Sequence, residues 1–145
     1  MSETIPYTTR LRPIMSLGTF DLLHRGHDVL IARASGFGRL IVGVNSDRFT
    51  YKYKGRFPVQ SQDDRLENVR KHWGVDEAVL NDGPGVDLIR EYKPELLVIG
   101  SDWHNRYLTQ IGVSAEELFG ELRCGVVYLP RTTGVSSTQL KSDAA

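Results

Sequence analysis

The chain of 145 residues has little of what marks secreted or membrane proteins. It contains a single cysteine, Cys124, which excludes an intramolecular disulfide framework. No apolar run approaches the roughly 20 residues that a helix needs to cross a bilayer. The first ten residues also lack the apolar segment of a signal peptide. We therefore expect a cytoplasmic protein that does not associate with a membrane.

The chain also lacks an excess of charge of either sign. Lys and Arg together number 18, as do Asp and Glu, so no overall positive field attracts nucleic acid. Any phosphate-binding site must therefore be local. A chain of this length is typical of one domain that buries its own core, and no repeat or low-complexity linker divides it. We expect residues 1–10 to form a flexible tail and residues 11–145 to form a single domain.

Short apolar runs recur along the chain, mostly without the alternation of a half-exposed strand. Such runs are typical of strands buried on both faces of a sheet, and helical patterns lie between them. This alternation predicts an α/β fold in which a parallel five-stranded sheet has helices on both faces. The predicted strands are Pro13 to Leu17, Leu40 to Val44, Ala78 to Leu80, Leu96 to Ile99 and Val126 to Leu129.

Several helix ends carry recognisable signals. Gly36 offers a left-handed stop to the helix that follows the first strand. Ser61 begins a capping box with Asp64, ahead of a helical face that includes Trp73. Pro94 ends the helical pattern that precedes the fourth predicted strand, because the residue before a proline disfavours the helical conformation. Two further capping boxes are predicted, from Ser114 with Glu117, opening a helix to Arg123, and from Ser136 with Gln139.

The first strand runs directly into the segment Gly18 to His27, which reads Gly-Thr-Phe-Asp-Leu-Leu-His-Arg-Gly-His. Open α/β sheets bind ligands at such a strand end, and the N–H groups of a following helix favour phosphate. If the helix begins near Gly26, His24 and His27 face a common point. Gly26 would let a ligand approach the backbone, and the two imidazoles could donate hydrogen bonds to a phosphorus centre as charge develops.

Two other interpretations of the histidines remain open at this point. His-x-x-His can form part of a zinc site, which His104 or Asp102 would complete, although zinc usually has three or four protein ligands. The histidines could also be two ordinary surface residues at the start of a helix.

A second segment, Arg131 to Thr138, directly follows the last predicted strand. Arg131 can grip a phosphate through its planar guanidinium, and hydroxyl side chains follow at a capped helix start that favours anions. By itself the segment could be an ordinary capped helix after a glycine turn. Two separate segments suited to phosphate indicate a nucleotide site more strongly than one.

Together, Gly-Thr-Phe-Asp-Leu-Leu-His-x-Gly-His and Arg-Thr-x-Gly-Val-Ser-Ser-Thr resemble the cytidylyltransferase family, and within it the glycerol 3-phosphate branch. The resemblance spans nearly the whole chain. It includes Asn45-Ser46-Asp47 after the second strand, Val75 to Val79 entering the third, and Gly100 to Trp103 after the fourth. The His-x-Gly-His motif by itself marks the broader nucleotidyltransferase superfamily, of Rossmann-like fold.

The resemblance implies roles for individual residues. Four would be catalytic: His24, His27, Lys54 and Arg131. The CTP site would comprise Gly18, Thr19, Phe20, Asp21, His24, Gly26, His27, Gly100, Asp102, Trp103, Arg131, Thr132, Ser136, Ser137 and Thr138. The acceptor would be bound by Lys54, Arg56, Arg65 and Asp76.

Departures from the family pattern fall on the acceptor side. Arg56 replaces a family lysine, Trp73 replaces an arginine, and Thr133 replaces an acidic residue. The stretch His104 to Leu122 is longer than in the shortest members of the family. The sequence run around Lys52 is expected to be a solvated loop.

The implied reaction is attack by an alcohol phosphate on the α-phosphorus of CTP, giving a CDP-alcohol and pyrophosphate. Mg²⁺ would bind through the nucleotide phosphates and not through a carboxylate cage. The resemblance also implies a homodimer. Three alternatives are an adenylyltransferase of the same fold, similar to FAD synthase, a catalytically silent nucleotide-binding module, and a metal-dependent hydrolase.

Overall fold

The computed structural model describes residues 12–100 and 111–130, which form alternating strands and helices. The predicted tail, residues 1–10, lies outside the described residues. The strands are β1 (Ile14–Gly18), β2 (Leu40–Asn45), β3 (Glu77–Asn81), β4 (Leu96–Gly100) and β5 (Gly125–Leu129). The α-helices are α1 (Arg25–Ser35), α2 (Asp47–Lys54), α3 (Gln62–Arg70) and α4 (Val86–Tyr92), and a π-helical turn spans Glu116–Glu121.

The five strands form one parallel sheet in the order β3-β2-β1-β4-β5. The chain therefore builds outward from β1 in one direction and then reverses, so the order switches between β1 and β4. The β1–β2 ladder runs from Ile14 to Gly18, whereas the β1–β4 ladder covers Ile14 and Met15. β1 and β4 thus separate toward their carboxyl ends. A crevice at this switch point is where open α/β sheets bind ligands.

Apolar side chains from both faces of the sheet form two buried clusters, as expected for strands covered on both sides. On one face, Met15, Ile41 and Leu97 pack with Ile89 of α4 and Leu118 of the π-helical turn. On the other, strand residues pack against α1 and α3; this cluster includes Ile14, Val42, Val98, Ile31 and Val69. The predicted three-layer α/β architecture is confirmed. No helix in the described part of the chain is long and apolar enough to cross a membrane.

Several predicted helix ends are confirmed, and others differ. Ser61 caps α3, where its hydroxyl accepts from the Asp64 N–H at 3.2 Å. Gly36 is right-handed, with φ −69°, so the predicted left-handed stop is wrong. Trp73 lies beyond the end of α3 and is 78% exposed, so it is not part of the buried helical face. Ser114 does accept from the Glu117 N–H, but the helix that follows is the shorter π-helical turn.

The run around Lys52, expected to be a solvated loop, is helix α2. Ser46 caps it by accepting from the Phe49 N–H at 3.0 Å, and Gly55 ends it with a left-handed φ of 76°. Of its residues, Thr50 is buried. Phe49 and Tyr53 lie four residues apart with their ring centroids 5.0 Å from each other, but most residues of the run are polar, so its composition favoured a loop.

Candidate active site

The segment Gly18 to His27 leaves β1 at the switch point and turns into α1. The loop is strained: Phe20 and Leu22 both adopt left-handed conformations, with φ of 54° and 53°. Such conformations in non-glycine residues cost on the order of 1–3 kcal/mol each and cluster at functional sites. The Phe20 ring is buried against Gly18, where an added Cβ would come within 3.0 Å of it. A side chain at position 18 would therefore displace the ring that supports the loop.

The two histidines cap the N-terminus of α1 and lie together. The Nδ1 atom of His24 accepts from the Gly26 N–H at 3.0 Å, and Nδ1 of His27 accepts from the His24 N–H at 3.2 Å. Their rings stack with centroids 3.9 Å apart. These two bonds form a reciprocal capping box made of imidazoles. The helix begins at Arg25, one residue before the predicted start, and the two rings stack beside its first turn.

These hydrogen bonds fix the tautomer of both neutral rings. A nitrogen that accepts a hydrogen bond uses its lone pair, so the ring proton must be on the other nitrogen, Nε2. His24 and His27 therefore each carry an Nε2–H donor. Burial, together with the adjacent His24, lowers the pKa of His27 to about 3, although the Asp21 carboxylate acts in the opposite direction. His27 is thus a neutral donor at physiological pH.

The same geometry argues against the zinc interpretation. A histidine that binds zinc through Nε2 normally donates a hydrogen from Nδ1 to a neighbouring group. Here both Nδ1 atoms accept hydrogens, so neither neutral ring has a lone pair left for a metal. In residues 12–100 and 111–130, no group of three or more His, Cys, Asp or Glu side chains could hold a metal ion.

A second loop holds the histidine segment in place. The buried Asp21 carboxylate accepts from the N–H groups of Val59 and Gln60 at 2.8 and 3.0 Å. The Gln60 side chain in turn accepts from the Leu22 N–H at 2.9 Å. Asp21 thus supports the histidine segment from within the protein and does not line its surface.

Arg65 joins four segments at the base of this site. Its side chain is fully buried, and it donates to the backbone carbonyls of Thr19, Asn45 and Gln60 at 2.7, 2.7 and 3.0 Å. It also forms an ion pair with Asp47 at 2.7 Å. The sequence interpretation assigned Arg65 to the acceptor. The structure instead places it beneath the site, where these four partners occupy its guanidinium.

The carboxyl ends of β2 and β3 contribute a polar network. Asn81 donates to the Asn45 side-chain oxygen at 2.9 Å, and Asn45 donates to the Tyr53 hydroxyl at 3.2 Å. The Tyr53 and Thr19 hydroxyls are 3.1 Å apart, and the Lys54 ammonium donates to Thr19 at 3.4 Å. Helix α2 thereby brings Lys54 beside the histidine loop.

The structure gathers some of the sequence-predicted residues at this edge and leaves others elsewhere. Gly18 and Gly100 end the two strands of the crevice, and Arg56 is exposed just beyond Lys54. Asp76 does not join them: it lies at the amino edge of the sheet and accepts from the Leu40 N–H at 2.8 Å. Seven predicted residues lie outside the described ranges: Asp102, Trp103, Arg131, Thr132, Ser136, Ser137 and Thr138.

Sequence reasoning assigned no role to Asn45, Gln60, Asn81 or Tyr53. A signal for two of them was present, since Asn45 and Asn81 each end a buried strand at the edge where ligands bind. Recognising Ser46 as a helix cap would have predicted the helix that carries both Tyr53 and Lys54. Gln60 carries no signal, because its role depends on how two loops pack.

Comparison with known proteins agrees with this geometry. A family model described as cytidylyltransferase-like matches residues 15–143. The chain belongs to the cytidylyltransferase-like family. It is accordingly a nucleotidyltransferase, and the predicted family and enzyme class are confirmed.

The similarity of individual relatives to this chain covers different shares of its length. Glycerol-3-phosphate cytidylyltransferase from Bacillus spizizenii is 32% identical, covering 93% of this chain and 98% of that protein. FAD synthase from Methanobrevibacter smithii is 35% identical over 63% of each chain. A solved structure, the lipopolysaccharide core biosynthesis protein from Thermoplasma volcanium, has a TM-score of 0.64 at 24% identity, covering 84% of this chain and 97% of that one. That likeness supports the fold.

We expect Arg65→Lys to destabilise the protein by about 3–5 kcal/mol, because lysine cannot serve four separated acceptors and leaves buried carbonyls unpaired. Urea denaturation measures the change. Arg70→Lys is the matched control in the same helix: Arg70 is half exposed, pairs with Glu67 and donates to the Ala78 carbonyl at 3.3 Å, so the change should cost less than about 1 kcal/mol. Equal losses for the two variants would contradict the role assigned to Arg65.

We expect His27 to remain in the neutral Nε2–H form from pH 7 to pH 5, because its pKa is lowered to about 3. The ¹⁵N chemical shifts of its ring report this directly, and a midpoint near the ordinary value of 6.5 would refute it.

The same shift gives a pH dependence of stability. Between about pH 6.5 and pH 3 the unfolded chain binds a proton at His27 that the folded chain does not, so the free energy of unfolding falls as pH falls. The slope attributable to His27 is at most about 1.4 kcal/mol per pH unit, and His27→Gln should lack it.

Proposed function

We propose that this enzyme transfers the cytidylyl group of CTP to a small phosphorylated alcohol, with glycerol 3-phosphate as the preferred acceptor, and releases pyrophosphate. The observation that carries the proposal is the pair of stacked histidines at the N-terminus of α1. Each has its tautomer fixed so that Nε2 is a donor, and both lie at the switch point of the sheet.

The proposed chemistry is a direct displacement. An oxygen of the acceptor phosphate forms a bond to the α-phosphorus of CTP as the bond from that phosphorus to the bridging oxygen breaks. The attacking oxygen is already deprotonated at neutral pH, so no general base is required. Catalysis then depends on positioning and on stabilising charge, as in other phosphoryl-group transfers.

His24 and His27 suit the second task. Two neutral donors held by backbone hydrogen bonds stabilise charge on phosphate oxygens without reorganising during the reaction. Neutrality of His27 also matters, because a protonated His27 would lose the Nδ1 lone pair that caps the His24 N–H.

Lys54 and Arg56 would neutralise phosphate charge from the other side. Lys54 ends α2 and is exposed beside Thr19, and Arg56 follows it after the Gly55 turn. We propose that Gly100, Asp102 and Trp103 lie near the base and ribose. The segment that comprises Arg131, Thr132, Ser136, Ser137 and Thr138 would hold the triphosphate.

Mg²⁺ fits this proposal as a companion of the nucleotide. It prefers oxygen ligands and keeps several waters, so substrate phosphates suit it better than the two Nε2–H donors. When bound, it would neutralise part of the triphosphate charge. No described residue is assigned to it as a ligand.

The choice of CTP and glycerol 3-phosphate is supported by the relative from Bacillus spizizenii, which aligns over 98% of its length. FAD synthase from Methanobrevibacter smithii makes adenylyl transfer the second candidate, although the similarity covers less of both proteins. The resemblance further supports a homodimer working in the cytoplasm, and size-exclusion chromatography with light scattering tests the dimer.

We expect His24→Ala and His27→Ala each to slow CTP-dependent pyrophosphate release by roughly 100- to 1,000-fold, because each removes a preorganised donor. His72→Ala is the control for loss of a histidine: His72 follows α3, its Nδ1 accepts from the Gly74 N–H, and its Nε2 lies 3.3 Å from the Asp28 carboxylate, so its loss should lower stability and leave turnover unchanged. Full turnover in either α1 variant would overturn the mechanism.

We expect CTP with Mg²⁺ to raise the melting temperature more than ATP with Mg²⁺ at equal concentration, since a ligand stabilises in proportion to its affinity for the folded state. Thermal-shift measurements on the same protein sample give the comparison. A larger shift with ATP would favour the adenylyltransferase.

A further inference from the structure

The network at the ends of β2 and β3 has a fixed direction of hydrogen bonding. Asn45 and Asn81 pair in register as the last residues of adjacent parallel strands, and both are at least 96% buried, with exposures of 2% and 4%. Because Asn81 donates to the side-chain oxygen of Asn45, the Asn45 amide presents its two hydrogens to the other side.

Those hydrogens go to two hydroxyl groups. The Asn45 amide donates to the Tyr53 hydroxyl at 3.2 Å and, more weakly, to Thr19 Oγ1 at 3.5 Å. Thr19 Oγ1 also receives a hydrogen from the Lys54 ammonium, which has no lone pair and can only donate. Two donors therefore face the Thr19 oxygen, at 3.4 and 3.5 Å.

These two donors favour Thr19, over Tyr53, as the hydroxyl that donates in the 3.1 Å contact between them. With two donors already directed at its oxygen, Thr19 donates its own hydrogen to Tyr53. The Tyr53 oxygen then accepts twice, from Thr19 and from Asn45. The Tyr53 hydrogen has no acceptor left within this network.

We propose that the Tyr53 hydroxyl donates a hydrogen bond to a phosphate oxygen of a substrate, beside Lys54. This inference rests on the proposed function and adds Tyr53 to the site residues. The Tyr53 hydroxyl can donate a hydrogen bond but has no free lone pair to accept one, so it suits an anionic oxygen better than a donor such as an amine. Lys54 lies with its ammonium 5.6 Å from the centre of the Tyr53 ring, so the two donors flank one region. The phosphate belongs either to CTP or to the acceptor.

The test compares Tyr53→Phe with Tyr51→Phe. Tyr51 lies on the same helix, is 50% exposed and stacks on Phe57 at 4.6 Å, outside the network. A hydrogen bond to a charged group corresponds to a loss of roughly 10- to 100-fold when it is removed. We expect Tyr53→Phe to raise the KM for one phosphorylated substrate by that factor, with a smaller change in kcat, and Tyr51→Phe to change it by less than about twofold.

Separate titrations identify the source of the phosphate. A rise in the KM for CTP alone assigns the contact to the nucleotide, and a rise for glycerol 3-phosphate alone assigns it to the acceptor. Calorimetry with inorganic pyrophosphate provides a binding readout that requires no turnover. Urea denaturation of each variant without ligand measures any structural contribution of the hydroxyl separately.

Two failures are distinguishable. If the wild-type protein turns over CTP and both phenylalanine variants retain its KM values and pyrophosphate affinity, the inference about Tyr53 is wrong and the proposed function stands. If Tyr53→Phe lowers stability and kcat but leaves every KM and the pyrophosphate affinity unchanged, the hydroxyl is structural, which also overturns the inference. A wild-type protein that releases no pyrophosphate from CTP with any phosphorylated alcohol overturns the proposed function itself.

Discussion

The buried guanidinium of Arg65 is the interaction on which the site depends. Through it, α3 holds the carboxyl ends of β1 and β2, the loop at Gln60 and the first turn of α2 at fixed distances. An unpaired charge at this depth would be strongly destabilising, so the four acceptors and the cation require one another. The strained histidine loop can persist because this cluster and the Asp21 carboxylate hold it from behind.

That constraint has a chemical consequence at the surface of the site. Once the loop is fixed, His24 and His27 satisfy the free N–H groups at the start of α1 with their Nδ1 atoms. The same two hydrogen bonds therefore cap the helix and orient the two Nε2–H donors. The polar network from Asn81 to Lys54 works in a similar way, because buried amides on one side determine which hydrogens face the substrate. In both places a group buried in the fold sets the direction of a group at the surface.

The sequence predicted the sheet well because its five strands are apolar runs bounded by clear breaks, and the ends of all five differ from the structure by one residue or less. It predicted the histidine pair because strand, turn and helix follow one another locally. It missed α2, a short and mostly polar helix in which Phe49 and Tyr53 pack on each other four residues apart. It also misjudged Arg65 and Asp76, since a charged residue in sequence looks the same whether it lies at a surface, beneath a loop or at the opposite edge of a sheet.

Identification of the reaction product tests directly whether the protein transfers a cytidylyl group to a phosphorylated alcohol. The purified protein is incubated with CTP, Mg²⁺ and glycerol 3-phosphate, and the products are identified by ³¹P NMR and mass spectrometry. We expect CDP-glycerol and pyrophosphate in equal amounts, and neither product when the acceptor is omitted. Cytidylyl transfer would be contradicted if CTP stayed unchanged in this incubation while a parallel incubation with ATP and a suitable acceptor gave an adenylylated product.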